Sequence, residues 1–235
     1  MSNSDRLVLA LGGAGTVGSG IVKALLDKGF KVAVISRDSS RLERLRTFVS
    51  PDTKENLTTI VGSVGSEVGA EQAKAALLDT VGKVTDIVSS LGFSWWQGGP
   101  PHSQTLKDLH WVMDTLLFST FVSWKAFFPL VKDDSDRTYT FVTGGAEKLL
   151  MPGTGFLTVG AASTLSFCQI LREEYPETAC KLNQVKIDAG VASPERMAPG
   201  FLNHLELGEF VARLVEKRNC SHTVFNVRTT EDLRA

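Results

Sequence analysis

Leu7-Val-Leu-Ala-Leu-Gly-Gly-Ala-Gly-Thr-Val-Gly18 sets five apolar residues directly before a turn with four glycines in seven positions. Ile21-Val-Lys-Ala-Leu-Leu-Asp-Lys-Gly29 follows with apolar residues at helical spacing and stops at a glycine. Lys31-Val-Ala-Val-Ile-Ser36 is a second apolar run. The stretch reads as strand, glycine turn, helix, strand. Small residues let backbone approach a pyrophosphate, and a helix N-terminus offers unpaired N–H groups and a positive dipole end. The turn therefore points to a dinucleotide cofactor, held by Gly12, Gly13, Gly15, Thr16, Val17 and Gly18.

Working outward, strands and helices alternate to the end of the chain. Further strands are expected at 57–61, 85–90, 139–143, 181–187 and 223–227, and helices at 71–81, 106–130, 158–174 and 207–217. Strands spaced by helices imply right-handed βαβ units and a mainly parallel, doubly wound α/β sheet of about seven strands. At 235 residues, one domain over 1–235 is the natural expectation. Pro194 to Asn203 reads as a short lid.

Composition narrows the partners. Lys and Arg total 25 against 26 Asp and Glu, with no basic block, which argues against a nucleic-acid surface or a polybasic membrane patch. No apolar run reaches the roughly 20 residues of a membrane span, and the polar start, Met1-Ser-Asn-Ser-Asp-Arg6, does not read as a signal peptide. Cys168, Cys180 and Cys220 are widely spaced with no C-x-x-C, so neither a metal site nor a disulfide framework is expected, and a reducing, cytoplasmic setting is.

The element order and glycine turn resemble the short-chain dehydrogenase/reductase family, a Rossmann fold, over nearly the whole chain. Three further landmarks carry the resemblance. Ser89-Ser-Leu-Gly92 stands where the family has an Asn-Asn-Ala-Gly-like turn, Trp111-Val-Met-Asp114 resembles its Trp…Asp-Val-Asn segment, and Ala189-Gly-Val-Ala-Ser193 stands where it has Pro-Gly…Thr beside the nicotinamide. This places Ser90, Gly92 and Gly190 against the cofactor. In the turn itself, Leu11 and Thr16 depart from the family's Thr-Gly-x-x-x-Gly-x-Gly. At the end of the second strand the family's NAD-preferring members carry a carboxylate, and here Ser36 and Arg37 follow, with Arg41 one turn on. A guanidinium can fork two donors onto a 2′-phosphate, so NADP(H) is favoured. Asp38, about 20 residues past the turn, is the opposing detail, and a solvated surface arginine is the other reading of Arg37.

The resemblance also exposes a loss. The family's oxidoreductases use Asn, Ser, Tyr and Lys, and this chain contains no Y-x-x-x-K. Aligning Thr158-Val-Gly-Ala-Ala162 with the family's Tyr-Ser-Ala-Ser-Lys puts Thr158 at the Tyr position and Ala162 at the Lys position, with Gly144 at Ser and Leu116 at Asn. The proton relay of the family is then absent. Candidate replacements are Thr158, Glu147 and His102, with Trp95, Trp96, Thr143 and Gly144 around the substrate. The plainer reading makes His102 an exposed loop residue and the tryptophans a cover for the sheet edge or a subunit contact. Three functions remain open: an NADP(H)-dependent oxidoreductase acting on an activated C=N, C=C or C=O group of a small apolar substrate; a non-redox cyclase, isomerase or lyase; and a non-catalytic NADP-binding subunit. The helix at 106–130 is apolar on more than one face, and the corresponding family helix often packs on a second subunit, so a homodimer or homotetramer through 106–130 and 158–174 is expected.

Overall fold

The computed structural model describes residues 2–93 and 95–234. In chain order the main elements are β1 (Leu7–Leu11), α1 (Thr16–Asp27), β2 (Lys31–Ser36), α2 (Ser39–Phe48), β3 (Leu57–Val61), α3 (Glu67–Val81) and β4 (Asp86–Ser89). There follow α4 (Leu106–Met113), α5 (Ser119–Phe127), β5 (Thr138–Gly144), α6 (Gly155–Glu174), β6 (Lys181–Ile187), β7 (Val191–Ala192), β8 (Leu202–Asn203), α7 (His204–Lys217) and β9 (Val224–Val227).

Seven strands form one parallel sheet in the order β3-β2-β1-β4-β5-β6-β9. The chain winds outward from β1 through β2 and β3, then crosses back to β4. Ligands of open α/β sheets bind outside the carboxyl ends of the strands where the winding direction switches, which here lies between β1 and β4. All five residues of β1 are buried, since helices cover both faces of a parallel sheet. One apolar cluster joins α1 and α7 to the sheet, among them Ile21, Leu25, Val211 and Val215. The other joins α3, α5 and α6 to the opposite face, among them Leu77, Phe127, Tyr139 and Cys168.

Beneath the sheet a buried ion pair fastens its first elements together. Arg6 donates to both oxygens of Asp86, at 2.7 and 3.0 Å, and to Val215 O on α7 at 2.6 Å. Asp86 also accepts from Thr85 and Thr138, so its buried charge is fully hydrogen-bonded.

The structure departs from the sequence expectation in three places. Helix α2 was not anticipated; Asp38 starts it, its carboxylate accepting from the backbone N–H of Ser40 and Arg41. The apolar helix at 106–130 is divided by a π-helical turn over Asp114–Phe118. The lid at 194–203 is a strap closed by pairing of β7 with β8. Among the described residues no helix is long and apolar enough to cross a membrane.

Candidate functional site

The glycine turn joins β1 to α1 at the switch in winding. Gly12 has φ +76°, and a Cβ there would lie 2.4 Å from Ser90 O; a Cβ on Gly18 would lie 2.1 Å from Gly12 O. Only glycine permits this crossing. Ser90 completes it, donating its hydroxyl and its N–H to Leu11 O. A Cβ on Gly15 would meet Gly12 O at 3.3 Å, a tight contact inside the turn, and no other atom within 4 Å, so the face of Gly15 away from the turn is unobstructed. No side chain caps α1, and the first helical N–H with a partner is that of Ser19, bonded to Gly15 O. An open glycine face beside an uncapped helix N-terminus fits a pyrophosphate.

At the end of β2, Asp38 is bonded to the first turn of α2. Asp38 accepts from Ser40 N at 2.9 Å, Ser40 Oγ at 2.6 Å and Arg41 N at 3.3 Å, and stands 3.6 Å from Arg41 Nε. These bonds, that of the Ser40 hydroxyl first, hold its carboxyl below the usual range. Ser36 Oγ accepts from Asp38 N. Arg37 is exposed and makes no side-chain hydrogen bond or ion pair among the described residues.

A cavity of about 570 Å³ opens at the carboxyl ends of β4, β5 and β6. Its walls include Leu91, Phe93, Trp95, Leu116, Leu149, Leu157, Ala161 and Ile187, with Gly92, Thr143, Gly144 and Gly190 also lining it. Leu116 reaches it from the π-helical turn, and the Thr120 hydroxyl donates to Leu116 O at 2.6 Å. Such turns often mark functional sites.

Three expected catalytic residues fall elsewhere. Thr158 does not line the cavity; its hydroxyl donates to Leu149 O at 2.7 Å and Thr154 O at 3.2 Å. The residues of α6 that line it are Leu157, Ala161 and Thr164, spaced i, i+4, i+7. Leu157 and Ala161, rather than Thr158 and Ala162, occupy the cleft-facing pair of positions, and neither carries a titratable group. Glu147 is bonded to Lys186 instead of facing the cavity. His102 lies exposed in a short turn away from it. The tryptophans separate because neighbours on a non-helical loop project to different sides: Trp95 lines the cavity, while Trp96 stacks on Phe156 at 5.6 Å.

The cavity's polar border comprises side chains from distant segments. Asp188 accepts from Lys186 at 3.3 Å and from Arg228 at 3.4 Å. It fits because position 145 is glycine: a Cβ there would lie 1.7 Å from Asp188 Oδ1. The Glu147 hydrogen bond holds the Lys186 amine above its usual value, against the effect of burial. Arg228, directly after β9, was not anticipated and no local motif announces it.

A family model described as short chain dehydrogenase matches residues 6–188. The chain belongs to the short-chain dehydrogenase family. Solved structures share the family fold at low identity. An alcohol dehydrogenase from the archaeon Thermococcus sibiricus, complexed with 5-hydroxy-NADP, aligns with TM-score 0.79 at 17% identity, covering 95% of this chain and 96% of its own. A blue fluorescent protein from a metagenomic library, in complex with NADPH, aligns with TM-score 0.80 at 16% identity, covering 97% and 98%. A short chain oxidoreductase from Pseudomonas aeruginosa PAO1, described as containing an atypical catalytic center, aligns with TM-score 0.81 at 15% identity, covering 97% of each chain. Within the short-chain dehydrogenase fold, the cavity here lies where β4, β5 and α6 converge, and its wall is apolar at Leu116, Leu157 and Ala161.

Proposed function

We propose that this short-chain dehydrogenase is an NADP(H)-dependent oxidoreductase that reduces an activated C=N, C=C or C=O group of a small apolar substrate without a Tyr–Lys proton relay. The observation that carries the reading is the juxtaposition of an open glycine turn with a cavity whose α6 wall is Leu157 and Ala161. When bound, the nicotinamide supplies the hydride, and the cofactor carries the difficult chemistry. The chain's residues bind and orient. Gly12, Gly13, Gly15, Thr16, Val17 and Gly18 hold the pyrophosphate at the start of α1. Ser36, Arg37 and Arg41 receive the 2′-phosphate, while Asp38 is committed to starting α2. Ser90, Gly92 and Gly190 border the nicotinamide end, and Trp95, Thr143 and Gly144 border the substrate. The apolar walls confine water to the cavity mouth, and solvent there supplies the proton that completes reduction of a C=O or C=C group. The NADPH and 5-hydroxy-NADP complexes among the structural neighbours support a nicotinamide cofactor, and the neighbour with an atypical catalytic center supports a departure from the usual residues.

The test is separate titration of NADPH and NADH, read by energy transfer from tryptophan to bound nicotinamide. NADPH is expected to bind more tightly than NADH. Arg37→Ala should weaken NADPH by about tenfold or more, as for loss of a charged hydrogen bond, and leave NADH nearly unchanged. If neither nucleotide binds, the redox reading fails, and an apolar cavity of the cyclase, isomerase or lyase kind is left.

A further inference from the structure

Four charged side chains form a row that ends at the cavity border. Glu147 Oε1 accepts from the Lys186 amine at 2.5 Å, Lys186 stands 3.3 Å from Asp188 Oδ1, and Asp188 Oδ2 accepts from Arg228 Nε at 3.4 Å. The signs alternate along the row, and its first three members are largely buried. The glycine at position 145 leaves the space that Asp188 fills. Arg228 is therefore held at its Nε, while its two Nη groups have no partner among the described residues. A guanidinium held by one N–H keeps a pair of donors, and such a pair matches the two oxygens of a planar carboxylate. The Arg228 side chain is 68% exposed, so an incoming group reaches it without breaking the row.

The charge balance points the same way. Asp188 is the only carboxylate among the described residues lining the cavity. One short turn, Ala146–Lys148, carries both a committed and an uncommitted charge: Glu147 is bonded to Lys186, and Lys148 lines the cavity with no ion-pair partner among the described residues. Two carboxylates, Glu147 and Asp188, thus face three cations, Lys148, Lys186 and Arg228, and one positive charge is left at the border. The walls beside it are apolar, with Leu91, Phe93, Trp95, Leu149 and Leu157 among them. A ligand that satisfies both parts has an apolar body and one negative charge.

We propose that Arg228 and Lys148 form an anion anchor, and that the ligand of the cavity is an apolar carboxylic acid whose carboxylate is taken by the two Nη groups of Arg228 with Lys148 beside it. This rests on the cavity being the substrate pocket, and it narrows the substrate to apolar acids over neutral and cationic compounds of the same shape. Asp188, braced by Lys186 and Glu147, is a positioning residue that holds Arg228 at the border.

The experiment uses three probes of one shape: phenylacetate, phenylacetamide and phenethylammonium. Each is titrated calorimetrically into the full chain, alone and with saturating NADP+. Phenylacetate is expected to bind most tightly, and the ammonium to fail. Arg228→Gln should weaken phenylacetate about tenfold and leave phenylacetamide unchanged. Arg228→Lys, which keeps the charge but loses the fork, should restore it only in part. Lys148→Gln should weaken phenylacetate alone. Both residues are exposed, and thermal unfolding checks that each variant keeps the fold. Asp188→Ala removes a negative charge, which by itself would tighten an anion; weaker phenylacetate binding is expected because Arg228 is released, and tighter binding would refute the positioning role. Phenylacetate binding no tighter than phenylacetamide, unchanged phenylacetate binding by Arg228→Gln and Lys148→Gln, or binding of no probe at all overturns the proposal. NADPH titrated in parallel separates the two readings. Loss of NADPH affinity in Arg228→Gln assigns the guanidinium to the nucleotide and defeats this proposal alone, and an anion preference without nucleotide binding defeats the redox reading alone.

Discussion

At the residue scale, chemistry in this cleft depends on single positions along one helix. Successive residues of a helix point about 100° apart, so Leu157 faces the cavity while Thr158 faces a carbonyl of the preceding loop. Thr158→Val should therefore leave NADPH affinity unchanged and lower stability by about 1 kcal/mol, the worth of one hydrogen bond. Nucleotide titration and urea unfolding of the variant check both parts. A large loss of nucleotide binding at normal stability would return Thr158 to the site. Gly145 illustrates the same sensitivity from the opposite side, since the space of its missing side chain is taken by Asp188.

At the element scale, Arg6 joins the start of β1 to β4 and α7. Its guanidinium ties the start of β1 to β4 through Asp86 and to α7 through Val215 O, with Phe30 4.8 Å from its face. Both members of the pair are almost wholly buried, at 1% and 0% exposure. Removing one partner strands a buried charge. Arg6→Met is expected to cost about 3–5 kcal/mol, measured by urea unfolding, whereas a cost below about 1 kcal/mol would mean that Asp86 is neutral or hydrated in the fold. Helix α2 is held in a different way. It buries only Leu42 and Leu45, and its start relies on the Asp38 side chain.

At the scale of the whole molecule, the outer faces of α4, the π-helical turn, α5 and α6 remain apolar. Trp111, Phe118 and Phe121 are 47%, 42% and 43% exposed, and Val159 and Ile170 on α6 are 50% and 51% exposed. Large apolar side chains grouped on one face of a molecule mark an interaction surface. A homodimer or homotetramer through these helices is the expected assembly, and light scattering on the purified chain decides it. The double variant Phe121→Glu, Ile170→Glu should run as a monomer with its NADPH affinity retained. A monomeric parent chain at micromolar concentration would refute the assembly.

What the sequence determined by itself is local. Strands β1, β2, β3 and β6 occupy the residues their apolar runs indicate, and the glycine turn lies between β1 and α1 as read. Such features depend on neighbours a few residues away. Helix α2 is faint in the sequence because Ser39-Ser-Arg-Leu-Glu-Arg-Leu-Arg46 offers only two apolar positions, and its start signal, Asp38, also stands where a ribose-binding carboxylate would. The tertiary structure alone decided which face of α6 meets the cavity, that Trp95 and not Trp96 lines it, and that Arg172, Gln184 and Thr143 form one hydrogen-bonded chain. Asp188, Lys186, Glu147 and Arg228 likewise meet only once β5, β6 and β9 pair. The physical reason is one of range. Backbone conformation and apolar period are set within a helical turn or a strand, whereas the direction of a proton or the partner of a charge is set by side chains that are tens of residues apart in sequence.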